Sequence, residues 1–116
     1  MSVWRMCSKK YDDGTCQVMI DFNNHDATGA MGGTLTFEGK EFTISGNWAA
    51  SGSVPGRNDS AFGLYGWNQD GATSYIAVAG TMTGPGNAPE SIAMNLIRTQ
   101  SADGDQYGWS GTLLPM

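Results

Sequence analysis

The sequence predicts an all-β domain, an antiparallel up-and-down meander of about eight strands closing into a small β-barrel, with a β-sandwich as the alternative. Three observations carry this. Apolar and polar residues alternate in short runs along most of the chain, Gly-, Asn- and Asp-rich turn signals separate the runs, and no stretch sustains a helical period. Strands joined by tight turns pair antiparallel. A sheet this wide hides its edges by closing or folding over, and about eight strands is the count at which a barrel interior holds side chains or one small ligand.

The elements follow in order. Val3 to Lys9 has a mixed pattern and reads as the first arm of a hairpin only because Asp12-Asp13-Gly14 follows it. In Gln17 to Phe22, Val18, Ile20 and Phe22 alternate with Gln17, Met19 and Asp21, the period of a half-buried strand. The turn formers of Asn23 to Ala27 then reverse the chain. Thr34 to Phe37 and Phe42 to Trp48 make the clearest hairpin, with Leu35 and Phe37 before the polar bend Glu38-Gly39-Lys40 and Phe42, Ile44 and Trp48 after it. Beyond Ala50 a polar loop runs to Ser60, with Pro55 fixing φ and Gly56 permitting positive φ.

Ala61 to Trp67 is the next strand, ended by Gln69-Asp70-Gly71. Tyr75 to Thr83 follows, with Ile76, Val78 and Met82 on one face, and Gly84-Pro85-Gly86-Asn87 turns the chain. Ser91 to Arg98 places Ile92, Met94 and Leu96 together. After the turn Ala102 to Asp105, Tyr107 to Leu114 is the last strand, with Tyr107, Trp109 and Leu113 sharing a face. A weak internal echo links Gly32 to Thr36 (GGTLT), Ala79 to Thr83 (AGTMT) and Gly111-Thr112-Leu113; the simpler reading is a recurrent way of writing a bulged strand.

At 116 residues the chain supports one core and one domain. Its 17 glycines have no G-X-Y period, which excludes collagen and assigns them to turns and bulges. The net charge of -5, with no basic stripe, argues against nucleic acid. No apolar run approaches the roughly 20 residues of a membrane-spanning helix. Met1 to Cys7 lacks the pattern of a signal peptide, so the expectation is a cytoplasmic protein, or one exported by another route or from a longer precursor. If Asp13-Gly14 is a two-residue turn, Tyr11 faces Cys16 and Cys7 faces Ile20. The reading then favours free thiols over a bridge, which would need a different loop.

Catalysis finds little to work with. His25 is the only histidine and sits in a polar turn, no nucleophile motif is present, and the carboxylates are scattered, so the domain is read as non-enzymatic. Cys7, Cys16 and His25 lack zinc-ligand spacing, and Asp12-Asp13 and Asp103 with Asp105 lack the further oxygens of a calcium loop. Neither metal nor cofactor is expected.

The aromatic residues say more. In Ala61 to Trp67, Phe62 and Leu64 point to one face while Tyr65 and Trp67 point to the other. Either both faces are buried, or the second faces a ligand or a partner. The stretch from Asn47 to Asp70 also gathers amide, carboxylate and guanidinium groups, so Asn47, Arg57, Tyr65, Trp67, Asn68 and Asp70 form the candidate ligand-binding set, suited to a neutral small molecule or glycan. The competing class is a protein-interaction module: an inhibitor, an immunity protein or a subunit of a homo-oligomer. Its acidic charge would suit a basic partner. Trp48 aligns with Phe42 and Ile44 and is assigned to the core, and Arg98 is read as a surface arginine.

The segments Asn95-Leu96-Ile97-Arg98-Thr99 and Trp109-Ser110-Gly111-Thr112-Leu113 resemble the closing strands of avidin-type biotin binders, over about a quarter of the chain. The resemblance implies a barrel. It implies no biotin contact, because those proteins place a ligand-binding acid just after the last strand, where this sequence has Leu114-Pro115-Met116. The Gly-, Asn- and Trp-rich hairpins also resemble small β lectins.

Overall fold

The computed structural model describes residues 4–25, 28–50, 59–70, 72–84, 89–100 and 106–116. All its regular structure is strand: β1 (Trp4–Cys7), β2 (Val18–His25), β3 (Ala30–Phe37), β4 (Lys40–Ala50), β5 (Asp59–Asp70), β6 (Ala72–Thr83), β7 (Ser91–Gln100) and β8 (Gln106–Pro115). Each strand pairs antiparallel with the next, and β8 pairs with β1, so the meander closes into a barrel. No helix in the described residues is long and apolar enough to cross a membrane.

The alternation expected of each strand is the alternation between barrel interior and exterior. Val18, Ile20, Phe22, Leu35, Phe37, Phe42, Ile44, Phe62, Leu64, Ile76, Val78, Met82, Ile92, Met94, Leu96 and Leu113 all point inward and are buried. Trp48 and Trp109 pack partly buried against this core, as does Trp4, whose ring lies 3.8 Å from that of Phe22. Burying an aromatic ring removes about 150–250 Å² from water, and side chains fill the interior as in other small barrels.

Glycines let the sheet curl this tightly. Gly33, Gly46, Gly66 and Gly80 have the inward parity of their strands, and a Cβ on them would collide with the carbonyl oxygens of Asp21, Gly63, Thr43 and Ala93 respectively. The neighbouring backbone occupies the space a side chain would need, the use to which strand glycines are put where a sheet bends sharply. Gly33 and Gly80 are equivalent positions in the two echoed segments, each followed by an outward Thr and then by an inward Leu35 or Met82. The echo thus marks a repeated bending device. A bulge accompanies only the first, where the β2–β3 register shifts between Phe22 and Asn24.

Several local expectations differ from the structure. The strand expected over Ala61 to Trp67 is longer at both ends, taking in Asp59 and Ser60 of the polar loop and Gln69 and Asp70 of the turn, because β6 continues to pair with it there. Asn23, Asn24 and His25 extend β2, because the bulge absorbs the irregularity and lets pairing continue to Met31. The β3–β4 turn is the two-residue Glu38-Gly39, both at positive φ (53° and 75°), with Lys40 already paired to Phe37. This is the primed geometry that fits the twist of a hairpin.

Cys7 and Cys16 form a disulfide, with Cα atoms 5.6 Å apart. The expectation of free thiols fails because the turn is wider than two residues. The Tyr11 N–H donates to the Thr15 carbonyl (2.8 Å), Lys10 opposes Cys16, and the Gln17 N–H donates to the Lys9 carbonyl (3.1 Å). That irregular hairpin brings Cys16 back over Cys7.

Candidate functional site

The register places an uncharged face on the outside of β4 to β8. One row across the strands reads Thr43, Trp67, Tyr75, Thr99; the next reads Ser45, Tyr65, Ala77, Ile97, Gly108; a third reads Asn47, Gly63, Ala79, Asn95, Ser110. None of these residues carries a charge. Tyr65 (62%), Trp67 (53%), Tyr75 (51%) and Ile97 (57%) are more than half exposed, so the second face of β5 is solvent-facing. Trp67 and Tyr75 are direct cross-strand partners, and Tyr65 is diagonal to Tyr75. Neighbouring strands lie about 4.8 Å apart, so these exposed rings stand on adjacent positions of one wall.

The structure divides the sequence-derived set. Asn47, Tyr65 and Trp67 share the outer face, with Asn47 Nδ2–H donating to the Gly29 carbonyl (3.4 Å). Asn68 has the opposite parity, in line with Phe62 and Leu64, and its amide donates to the Glu41 carbonyl across the hairpin. Asn68 therefore belongs to the barrel rim. Asp70 is described by its backbone alone, and Arg57 lies outside the described residues.

Tyr75 and Ile97 were missed. A signal for them existed, because each breaks parity with the apolar set of its own strand: Tyr75 against Ile76 and Val78, Ile97 against Met94 and Leu96.

Arg98 also moves. It is 5% exposed and points into the end of the barrel, not onto the surface. Its Nη1 lies 3.3 Å from Glu38 Oε1, and its guanidinium carbon is 4.8 Å from the centre of the Tyr107 ring. Ser74, fully buried on the inner face of the adjacent β6, has an Oγ without a hydrogen-bond partner among the described residues. Glu38 holds the left-handed conformation of its turn, a cost to a residue with a side chain of about 1–2 kcal/mol. The Arg98 pair is one interaction that position gains.

Two further grooves lie around the disulfide hairpin. One, of about 350 Å³, is lined by Lys10, Gly14, Thr15, Cys16, Met19, Thr36 and Met116. The other, of about 360 Å³, lies between Cys7, Ser8, Lys10 and the segment Leu114 to Met116. In the hairpin turn, hydrogen bonds from the Thr15 hydroxyl (2.6 Å) and N–H (2.9 Å) hold the Asp13 carboxyl below the usual carboxylate range. Among the described residues no three His, Cys, Asp or Glu side chains cluster as metal ligands.

The fold and this face define a class, a closed eight-stranded up-and-down barrel with a filled interior and an uncharged aromatic outer face. Compared with known proteins, the chain matches no family model, no curated protein and no solved structure at a significant level.

Proposed function

We propose that this domain is a non-enzymatic binding protein whose outer β4–β7 face takes a neutral carbohydrate. The supporting observation is the platform of Trp67, Tyr75 and Tyr65, more than half exposed and bordered by Thr43, Ser45, Asn47 and Thr99 with no charged side chain among them. The apolar face of a sugar ring stacks on such rings, and its hydroxyls find hydroxyl and amide partners beside them. A filled barrel directs attention to the outer wall, where the exposed rings stand.

A glycan array followed by tryptophan-fluorescence titration tests this reading. Trp67→Ala and Tyr75→Ala should each weaken binding by about tenfold or more, which is about 1.4 kcal/mol. Absence of binding across the array, or affinity unchanged in both variants, overturns it.

A second reading, pairing of two copies through the same face, has its own support. Gly63, Ala77 and Ala79 at its centre are small enough for two sheets to approach closely, and an uncharged face is where two chains of net charge -5 repel least. Sedimentation of the wild type against a Tyr65→Ser, Trp67→Ser double variant distinguishes the two. A dimer that the variant dissociates favours the interface; an unchanged monomer disfavours it.

A further inference from the structure

The barrel closes at a short seam. β1 and β8 share only the pairs Met6↔Pro115 and Cys7↔Leu114, whereas every other pair of neighbouring strands is matched over a longer stretch. The Met116 N–H donates to the Arg5 carbonyl (3.1 Å), and Pro115 has no N–H to give. These two facts fix the alternation of the ladder: Leu114, and beyond it Thr112, Ser110 and Gly108, aim their backbone groups at the seam, while Leu113, Gly111, Trp109 and Tyr107 aim theirs at β7.

The residue that would meet Thr112 is Lys9. Its carbonyl instead accepts from Gln17, on the β2 side, as the chain turns into the hairpin stapled by Cys7–Cys16. From Thr112 back to Gly108, β8 therefore has no strand paired on its seam side among the described residues. The side chains agree: Tyr107 and Trp109 have inward parity, yet Tyr107 is 38% exposed and Trp109 only partly buried, while their β7 partners Arg98 and Leu96 are buried. The Gln17 side chain reaches across, accepting from Trp109 Nε1 at 3.3 Å.

An unpaired row of backbone donors and acceptors is a template for an added strand. Its surroundings indicate what that strand carries. Lys9 and Lys10, both exposed, stand on the other lip of the seam with no ion-pair partner among the described residues, and they are two of only six basic residues in an acidic chain. Lys10 also lines the groove that continues past Leu114 to Met116. We propose that the β8 edge accepts an extended acidic polypeptide segment, which pairs with Gly108, Ser110 and Thr112 and sets its carboxylates against Lys9 and Lys10. The site borders the uncharged face at Gly108 and Ser110, but it uses the backbone edge of β8 and does not depend on what the rings of that face bind.

Amide hydrogen exchange by NMR tests this on the intact, oxidised protein, with a synthetic peptide of alternating valine and glutamate as the probe. In the free protein, Gly108, Ser110 and Thr112 should exchange about 100-fold or more faster than their neighbours Trp109, Gly111 and Leu113. The peptide should slow the three fast amides. The same peptide N-methylated at alternate residues, or a valine–lysine peptide, should bind at least about tenfold more weakly, as should the valine–glutamate peptide to a Lys9→Glu, Lys10→Glu variant. Uniformly slow exchange along β8 in the free protein overturns the proposal. So does the absence of protection at millimolar peptide, or protection that appears with protein concentration alone, which would assign the edge to a second copy.

Discussion

Trp67 stands directly opposite Tyr75 on the outer wall of the barrel, and the two rings extend the β5–β6 ladder as an exposed apolar pair. Neither contributes to the buried core. Trp67→Ala and Tyr75→Ala should therefore each change unfolding free energy by no more than about 1 kcal/mol, the worth of a cross-strand pair. Phe42→Ala, at a fully buried position, should cost about 3–5 kcal/mol. Urea denaturation followed by circular dichroism makes the comparison; a large loss at Trp67 would mean that the outer face is covered.

The glycines of β5 separate tight curvature from mere flexibility. A Cβ at Gly66 meets the Thr43 carbonyl, whereas the nearest atom to a Cβ at Gly63 is the Val78 carbonyl oxygen at 4.0 Å. Gly66→Ala should cost about 3 kcal/mol or more, because the obstacle is backbone and cannot step aside. Gly63→Ala should be neutral or stabilising by up to about 1 kcal/mol, through loss of unfolded-state freedom. Thermal denaturation of the two variants reads the difference directly.

Removing the Cys7–Cys16 bridge should also destabilise the domain strongly. The bridge closes a loop with a sequence separation of 9, and loop-closure entropy for such a length corresponds to about 3 kcal/mol. A Cys7→Ser, Cys16→Ser variant should melt roughly 10 °C or more below the oxidised protein. The wild type in reducing agent should shift in the same direction, and an unchanged melting temperature in both would show that the hairpin holds itself.

Asp13 reports on the same hairpin through pH. Its folded carboxyl titrates below the usual aspartate range because the Thr15 hydroxyl and N–H both donate to it. A depressed folded value makes the ionised form the stabilising one. Its contribution is complete above the unfolded aspartate value and disappears as pH falls through the folded one. An NMR titration should place Asp13 below ordinary aspartate, and Thr15→Val should move it back up by removing the first donor. A wild-type value in the normal range would contradict the turn geometry.

Which side of each strand is core was legible from residues alone, since Val18-Ile20-Phe22, Ile76-Val78-Met82 and Ile92-Met94-Leu96 can each bury only one face of a pleated strand. The same period placed Tyr65 and Trp67 off the core. Applied one residue further it also gives Asn68 inward parity, at the rim, so grouping Asn68 with Trp67 by sequence proximity cut across the alternation.

Register lay beyond that logic. That Tyr75 and Ile97 join Tyr65 and Trp67, that Arg98 meets Tyr107 and Glu38, and that Lys9 turns away from Thr112 all depend on pairings between distant segments. The sequence by itself determined the approximate number of strands, their order as a meander and the inward face of those after β1, because these follow from local alternation and turn chemistry. Only the tertiary structure decided which outward residues meet, how the cysteines pair and where the barrel wall is thin, because those depend on how the curled sheet brings its two ends together.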